Sequence, residues 1–329
     1  MVGGSEPAAA AHTDDPPERV SPTPGGPVGA LDCGTNSTRL LVCDPDGITR
    51  VRLMRITRLG QGVDATGDLD QAAIERTVAV LEEYRKIMDD TGVQKARLVT
   101  TSAVRDARNG EAFLRAASEA VGFAAELISG EEEGRLAYAG ATAGLGASTG
   151  DDMVVDIGGG STEIVLQRDG IVEAYSMNIG CVRLTERFLA HDPANDSELA
   201  AMHSFITESL QQAVVALPVL ANLRRPTRLL GLAGSVTTVA ALALGLETYD
   251  RDAVHHSILT KEAVAQWSAR LAREPAAERA TRGVIAPGRV DVIVGGASVL
   301  DDLMHFFDLD ACVVSETDIL DGIALSLLA

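Results

Sequence analysis

Lysine is nearly missing from this chain. Of its 28 basic residues only Lys86, Lys95 and Lys261 are lysines, against 47 acids, for a net charge of −19. Such a surface repels nucleic acid and anionic membranes, and any anion it binds must enter a locally positive pocket. Aromatic residues make up 3%, too few for a surface that works by stacking on bases. Cys33, Cys43, Cys181 and Cys312 form no CxxC pair. A zinc site or disulfide framework is therefore not indicated, and a reducing, cytoplasmic setting is expected. No run reaches the roughly 18 consecutive apolar residues of a membrane span. Residues 1–27 are rich in Ala, Pro, Gly and acids, lack the apolar core of a signal peptide, and are expected to be a disordered tail.

The rest has an ordinary apolar content, 46% of 329 residues, enough for two domains. Strands are predicted over residues 28–31, 38–43, 50–58, 98–101 and 124–128. A helix capped by Asp68 is expected to run to about Asp90, a second to cover 111–121, and a third to start at Ser129 and end near Gly144. The Gly/Ser/Thr-rich stretch 144–150 is a joint between a first domain, 28–146, and a second, 147–315. A terminal helix, about 316–329, is expected to pack back on the first. Arg50, Arg52, Arg55 and Arg58 read as a solvated strand face, with a polyanion track as the alternative.

Across the joint the opening repeats. Leu31-Asp32-Cys33-Gly34-Thr35-Asn36-Ser37-Thr38-Arg39-Leu40-Leu41 aligns with Val155-Asp156-Ile157-Gly158-Gly159-Gly160-Ser161-Thr162-Glu163-Ile164-Val165. Each copy reads as strand, Asp-x-Gly turn, strand, and two copies opening two halves of one chain predict a duplicated α/β domain with facing hairpins. Phosphate needs converging N–H donors, and small residues let the backbone come close enough. Gly34, Thr35, Asn36, Ser37 and Gly158, Gly159, Gly160, Ser161 meet that need. Asp32 and Asp156 end buried strands beside the two turns, where a carboxylate holds Mg²⁺ or bonds to its own turn. A third loop with Gly234 and Ser235 leads into the apolar helix 239–244 and reads as an anion-binding helix start or as an ordinary N-cap. In Ser129-Gly130-Glu131-Glu132-Glu133, a capping box of Ser129 and Glu132 leaves Glu133 over, a carboxylate placed to take a proton from water.

With these pieces in order the chain resembles the exopolyphosphatase / guanosine-pentaphosphate phosphatase family. The resemblance rests on both repeats, on Thr100-Thr101-Ser102-Ala103-Val104-Arg105-Asp106-Ala107, Ile128-Ser129-Gly130-Glu131-Glu132-Glu133 and Ile179-Gly180-Cys181-Val182. The Gly234-Ser235 loop and Ser315-Glu316-Thr317-Asp318-Ile319-Leu320-Asp321-Gly322 also match. It implies an α/β fold of duplicated ribonuclease-H-like domains, of the actin-like ATPase superfamily, around a central cleft. It further implies Mg²⁺-dependent release of terminal phosphate from polyphosphate, processive or distributive, or from guanosine pentaphosphate in the stringent response. By the resemblance, Glu133 is the catalytic base, Glu163 a second catalytic carboxylate and Asp156 a metal-side Asp. Asn36, Arg105, Gly158, Ser161 and Cys181 line the phosphate site, Cys181 through its backbone amide. Gly134 stands where the family has Ala. The expected partners are the polyphosphate or guanosine-pentaphosphate substrate, with no nucleic acid and no membrane; a homodimer is left open. Two other readings are an ATP-dependent kinase, whose late adenosine loop Val294-Gly295-Gly296-Ala297-Ser298 resembles, and a non-catalytic alarmone sensor.

Overall fold

The computed structural model of the chain describes residues 25–146 and 149–329. The tail expected over 1–27 lies outside them up to residue 24, as do two residues of the joint at 144–150.

Two strands buried along their whole length, β1 (Val28–Cys33) and later β6 (Asp152–Ile157), each seed a sheet. Continuous burial suits a central strand covered on both faces. In the first sheet β1 pairs antiparallel with β2 (Ser37–Cys43), which pairs antiparallel with β3 (Thr49–Ile56). On its other side β1 runs parallel to β4 (Lys95–Thr100), and β4 to β5 (Ala125–Leu127). In the second, β6 pairs with β7 (Thr162–Arg168) and β7 with β8 (Ile171–Met177), both antiparallel. There β6 runs parallel to β9 (Arg228–Leu232) and β9 to β11 (Ala311–Val314); β10 (Ile258–Thr260) adds an antiparallel edge. The strand orders, 3-2-1-4-5 and 10-11-9-6-7-8, are one pattern used twice, with one extra strand. This is a duplicated ribonuclease-H-like architecture.

Helices of eight or more residues are numbered here along the chain. Helices α1 (Gln71–Asp90) and α2 (Gly110–Val121) close the outer face of the first sheet over Leu31, Leu40, Leu81, Tyr84, Leu98 and Phe113. Helix α3 (Gly130–Thr142) packs on β7 and β8 of the second sheet. On the second sheet's outer side lie α4 (Cys181–Phe188), α5 (Asp196–Ala216), α6 (Ala233–Ala243), α7 (Lys261–Arg273) and α8 (Ile293–Phe306). Helix α9 (Ile319–Leu328) packs on β1 and β2 and crosses α3. The crossing is close: a Cβ on Gly140 would lie 1.9 Å from the Asp318 carbonyl, and one on Gly322 1.9 Å from that of Leu136. Thus α3 and α9 fill the layer between the sheets, with Ala137, Ala141, Ile323 and Ala324 in a shared apolar cluster.

Several expected details differ. Asp70, not Asp68, caps α1, its carboxylate accepting from the Ala73 N–H at 3.0 Å. Leu69 is buried and held by Asn109, which delays the helix; Asp68 instead binds Arg108. Ser129 does cap α3, accepting from the Glu132 N–H at 3.2 Å. The reciprocal half of the box is lost, because the Glu132 side chain goes to Arg97 at 2.6 Å. Arg50, Arg55 and Arg58 are paired with Asp44, Glu83 and Asp291, and only Arg52 of that series reaches the cleft.

Candidate active site

The hairpins β1–β2 and β6–β7 turn in the same way: the Gly34 N–H donates to the Ser37 carbonyl at 3.0 Å, the Gly158 N–H to the Ser161 carbonyl at 3.0 Å. The turns touch. A Cβ on Gly159 would stand 2.9 Å from Thr35 Cβ and 3.2 Å from the Asn36 nitrogen; one on Gly160 would stand 2.7 Å from Ser102 Oγ. Glycine is required there by the approach of one turn to the other. Thr35 and Ser102 share a hydrogen bond of 3.0 Å across the same contact.

Above the turns lies a cavity of about 460 Å³. Of the sequence-predicted residues, Asp32, Gly34, Thr35, Asn36, Ser37, Glu133, Asp156, Gly158, Gly159, Ser161, Cys181, Gly234 and Ser235 line it. Gly160, Arg105 and Glu163 stand behind the wall. Arg105 donates to the Ile128 carbonyl at 3.0 Å and lies 3.9 Å from Glu133 Oε2. Glu163 accepts from Ser176 Oγ at 2.6 Å.

The site's electrostatics follow from four buried carboxylates, Asp32, Glu133, Asp156 and Glu163, exposed by 3, 9, 7 and 1%. Burial raises the proton affinity of each. Glu133 is pushed well above the usual range, first by burial, then by Glu163, Asp32 and Asp156, with Arg105 opposing. Burial and Glu163 push Asp156 to about 8. Burial raises Glu163 to about 7 against the bonds from Ser176 and Ser161. Burial raises Asp32 although Arg39 pulls it down. Asp32 Oδ1 and Glu133 Oε2 are buried without a hydrogen-bond partner. Orphaned carboxylate oxygens are expensive unless a cation or donor arrives, and that is the condition a Mg²⁺ ion would satisfy. Among the described residues no group of three or more acidic, His or Cys side chains encloses a metal.

Three expectations need correction. Gly234 and Ser235 lie not in a loop before a helix at 239–244 but in the first turn of α6, whose N-cap is Leu232 with no side-chain cap. The Cys181 amide donates to the Gly158 carbonyl at 2.9 Å and ties the start of α4 to the turn, so it is not free for phosphate. Residues 294–298 are no loop but the buried first turns of α8, where a Cβ on Gly296 would lie 2.0 Å from Ser235 Oγ, so Gly296 is required by the approach of α6.

Sequence reasoning missed several cavity residues. Arg39 binds Asp32 through Nε (2.9 Å) and Nη2 (2.7 Å), and also binds Asp318. Burial pushes Asp318 up, but Arg39 and Arg52 outweigh it and hold its carboxyl low. Arg289 lies against Gly234 and donates to Thr238 Oγ1 at 3.2 Å. Tyr249, Arg251 and Glu316 complete that end. Arg39 carried a signal, as the residue aligned with Glu163 in the repeat, and Glu316 and Asp318 lay in a matched motif with no role assigned; Arg289, Tyr249 and Arg251 converge from separate segments.

The model of the Ppx/GppA phosphatase family matches residues 48–329. The chain belongs to this family. It is therefore a phosphatase, a hydrolase of phosphoric anhydrides. A Mycobacterium tuberculosis protein named exopolyphosphatase 2 is 42% identical over 316 residues, 91% of this chain and 98% of the relative. The crystal structure of an exopolyphosphatase-like protein matches with a TM-score of 0.86 at 36% identity, covering 91% of this chain and 98% of the other. The Aquifex aeolicus Ppx/GppA family member matches at 0.76 and 33% identity, over 92% and 97%. Among the described residues no helix is long and apolar enough to cross a membrane.

Proposed function

We propose that this phosphatase is an exopolyphosphatase of the cytoplasm, which hydrolyses the terminal phosphate of inorganic polyphosphate with Mg²⁺ and Glu133 as base. The observation that carries the reading is Glu133, a cavity-lining carboxylate with a buried oxygen that no hydrogen bond satisfies. The homologue's name supports the substrate.

The terminal phosphoryl group lies against the small-residue turns, its oxygens facing backbone N–H groups and the hydroxyls of Ser37 and Ser161. Asp156 and Asp32 would hold Mg²⁺, which would supply charge neutralisation of the substrate phosphate when bound. The Glu133 carboxylate accepts a proton as water oxygen bonds to phosphorus. The bridging P–O bond breaks, and the shortened chain departs with the electron pair as an anion. Buried surroundings strengthen Glu133 as a base, and Arg105 at 3.9 Å limits the rise in its proton affinity. Glu163, fixed by Ser176, holds a second negative charge behind the turn.

A second reading has an observation of its own. The far end of the cavity mixes Leu53, Met54, Val284 and Tyr249 with Arg52, Arg251 and Arg289, a surface that suits a nucleoside bearing phosphates. Guanosine pentaphosphate belongs in the same assay. Purified protein is offered long polyphosphate, short polyphosphate, guanosine pentaphosphate and ATP with Mg²⁺, and released phosphate is measured. The proposal expects the highest kcat/KM on polyphosphate; a clear preference for guanosine pentaphosphate would replace it by the second reading.

A further inference from the structure

Behind the 158–161 turn lies a second cavity, of about 290 Å³, that the reaction as described does not use. Its lining is Tyr175, Ser176, Met177, Asn178, Arg183, Arg187, Phe205, Ser209 and Gln212. In a chain with 47 acids and a net charge of −19, this lining contains two arginines and no carboxylate.

The two arginines differ in what they do. Arg183 is fully engaged: its Nε donates to the Gly160 carbonyl at 2.8 Å, and its terminal nitrogens bind Asp64 and Asp106. It fixes the turn, and its charge is already met. Arg187, one helical turn on in α4, has no carboxylate within ion-pairing reach among the described residues and makes no hydrogen bond there. Its guanidinium lies over the Phe205 ring, 4.3 Å from the centroid, and 5.3 Å from that of Phe188. Stacking holds the planar group in place and leaves its N–H edge available. Asn178, Gln212 and Tyr175 offer neutral donors around it. A stacked, unpaired guanidinium among neutral donors is the chemistry of an oxyanion site.

The location points to which oxyanion. Ser176 belongs to this lining and its Oγ donates to Glu163 Oε1 at 2.6 Å; Arg183 belongs to it and holds Gly160. Arg183 and Ser176 thus link the cavity's wall to the turn and to Glu163. Hydrolysis leaves a small dianion among four buried acids, which disfavour its staying. We propose that this second pocket is a binding site for orthophosphate, the reaction's product, with Arg187 as its cation. The proposal rests on the hydrolase reading only for the source of the ligand; the site itself is tested by binding alone.

Inorganic phosphate is titrated into the full-length, substrate-free protein by calorimetry, for wild type, Arg187→Glu and Asn178→Asp, with folding checked by circular dichroism. Both positions are exposed, and reversing or adding charge there should spare the fold. Wild type should bind two phosphates, one at the turns and one in this pocket. Each variant should bind the second at least about tenfold more weakly, the loss of one charge-assisted contact. In steady state, phosphate should lower both kcat and kcat/KM of wild type but only kcat/KM of Arg187→Glu. Identical isotherms in the three folded proteins would overturn the site. So would a misfolded Arg187→Glu accompanied by a folded Asn178→Asp that binds phosphate as wild type does. If no substrate is hydrolysed, the functional reading fails while the isotherms still decide the pocket.

Discussion

Arg39 occupies in the first hairpin the position that Glu163 occupies in the second: Asp32 pairs across its ladder with Arg39, Asp156 with Glu163. One copy of the repeat thus carries the cation and the other the acid. Arg39 is the one guanidinium bonded to both Asp32 and Asp318. Replacing it with Met leaves buried Asp32 without its cation and Asp318 with Arg52 alone, at 3.9 Å, and breaking a buried pair in this way typically costs about 3–5 kcal/mol. Urea unfolding of Arg39→Met should show a loss of that size; a loss below about 1 kcal/mol would mean the two acids are stabilised by something else. His255 allows a pH test away from the carboxylates. Its Nδ1 accepts from the Glu316 N–H at 3.1 Å, and burial, then stacked His256, holds its pKa below 6.5. The unfolded chain therefore binds the extra proton first. The contribution of His255 is present above about pH 6.5 and is lost as pH falls toward its folded pKa. Melting between pH 7.5 and 5 should steepen less in His255→Asn than in wild type, and equal slopes would remove His255 from the pH response.

At the scale of elements, the α3–α9 crossing decides how the sheets are spaced. Gly322→Val must push the helices apart, because a side chain there meets the Leu136 backbone. Overpacking of this kind costs about 1–3 kcal/mol. Asp318, which caps α9 and binds Arg39, should move with the helix. The expected result is a lowered melting temperature together with a lowered kcat/KM. Asn195→Ala, which removes the capping box of α5 far from the cavity, should cost about 1 kcal/mol and leave kcat/KM unchanged. Loss of activity in both would show that global stability, not the crossing, is being read.

These elements also mark what the sequence made legible. The paired Asp-x-Gly turns were visible because small residues at fixed offsets have few other uses, and Ser129 because a cap is a local signal. The engagement of Cys181 with Gly158 and the burial of 294–298 were not visible, since each depends on a segment folded against it from a distance. That Arg52, Arg289 and the segment with Glu316 and Asp318 meet in one cavity was hidden for the same reason: they reach it from three separate places in the chain. Asp68 failed as a cap because burial of Leu69 outweighed the capping preference.

At the scale of the molecule, two copies of one hairpin face each other with α3 and α9 between their sheets, and an acidic chain places Arg39, Arg52, Arg251 and Arg289 and four buried acids at the meeting point. Such a centre requires a cation before a polyanion enters. Excess chelator should abolish phosphate release and Mg²⁺ restore it, with Asp156→Asn shifting the Mg²⁺ requirement upward; full activity in chelator would remove the metal from the reaction. The central claim is that Glu133 is the base. General-base catalysis is typically worth about 10²–10⁴-fold. The most direct measurement is kcat for phosphate released from polyphosphate by wild type, Glu133→Gln, Glu131→Gln and Glu132→Gln, with melting temperatures alongside. The account predicts a fall in kcat of about 10²-fold or more for Glu133→Gln alone, with KM little changed and the other two near wild type. A folded Glu133→Gln protein with wild-type kcat, or equal losses in all three, would contradict it.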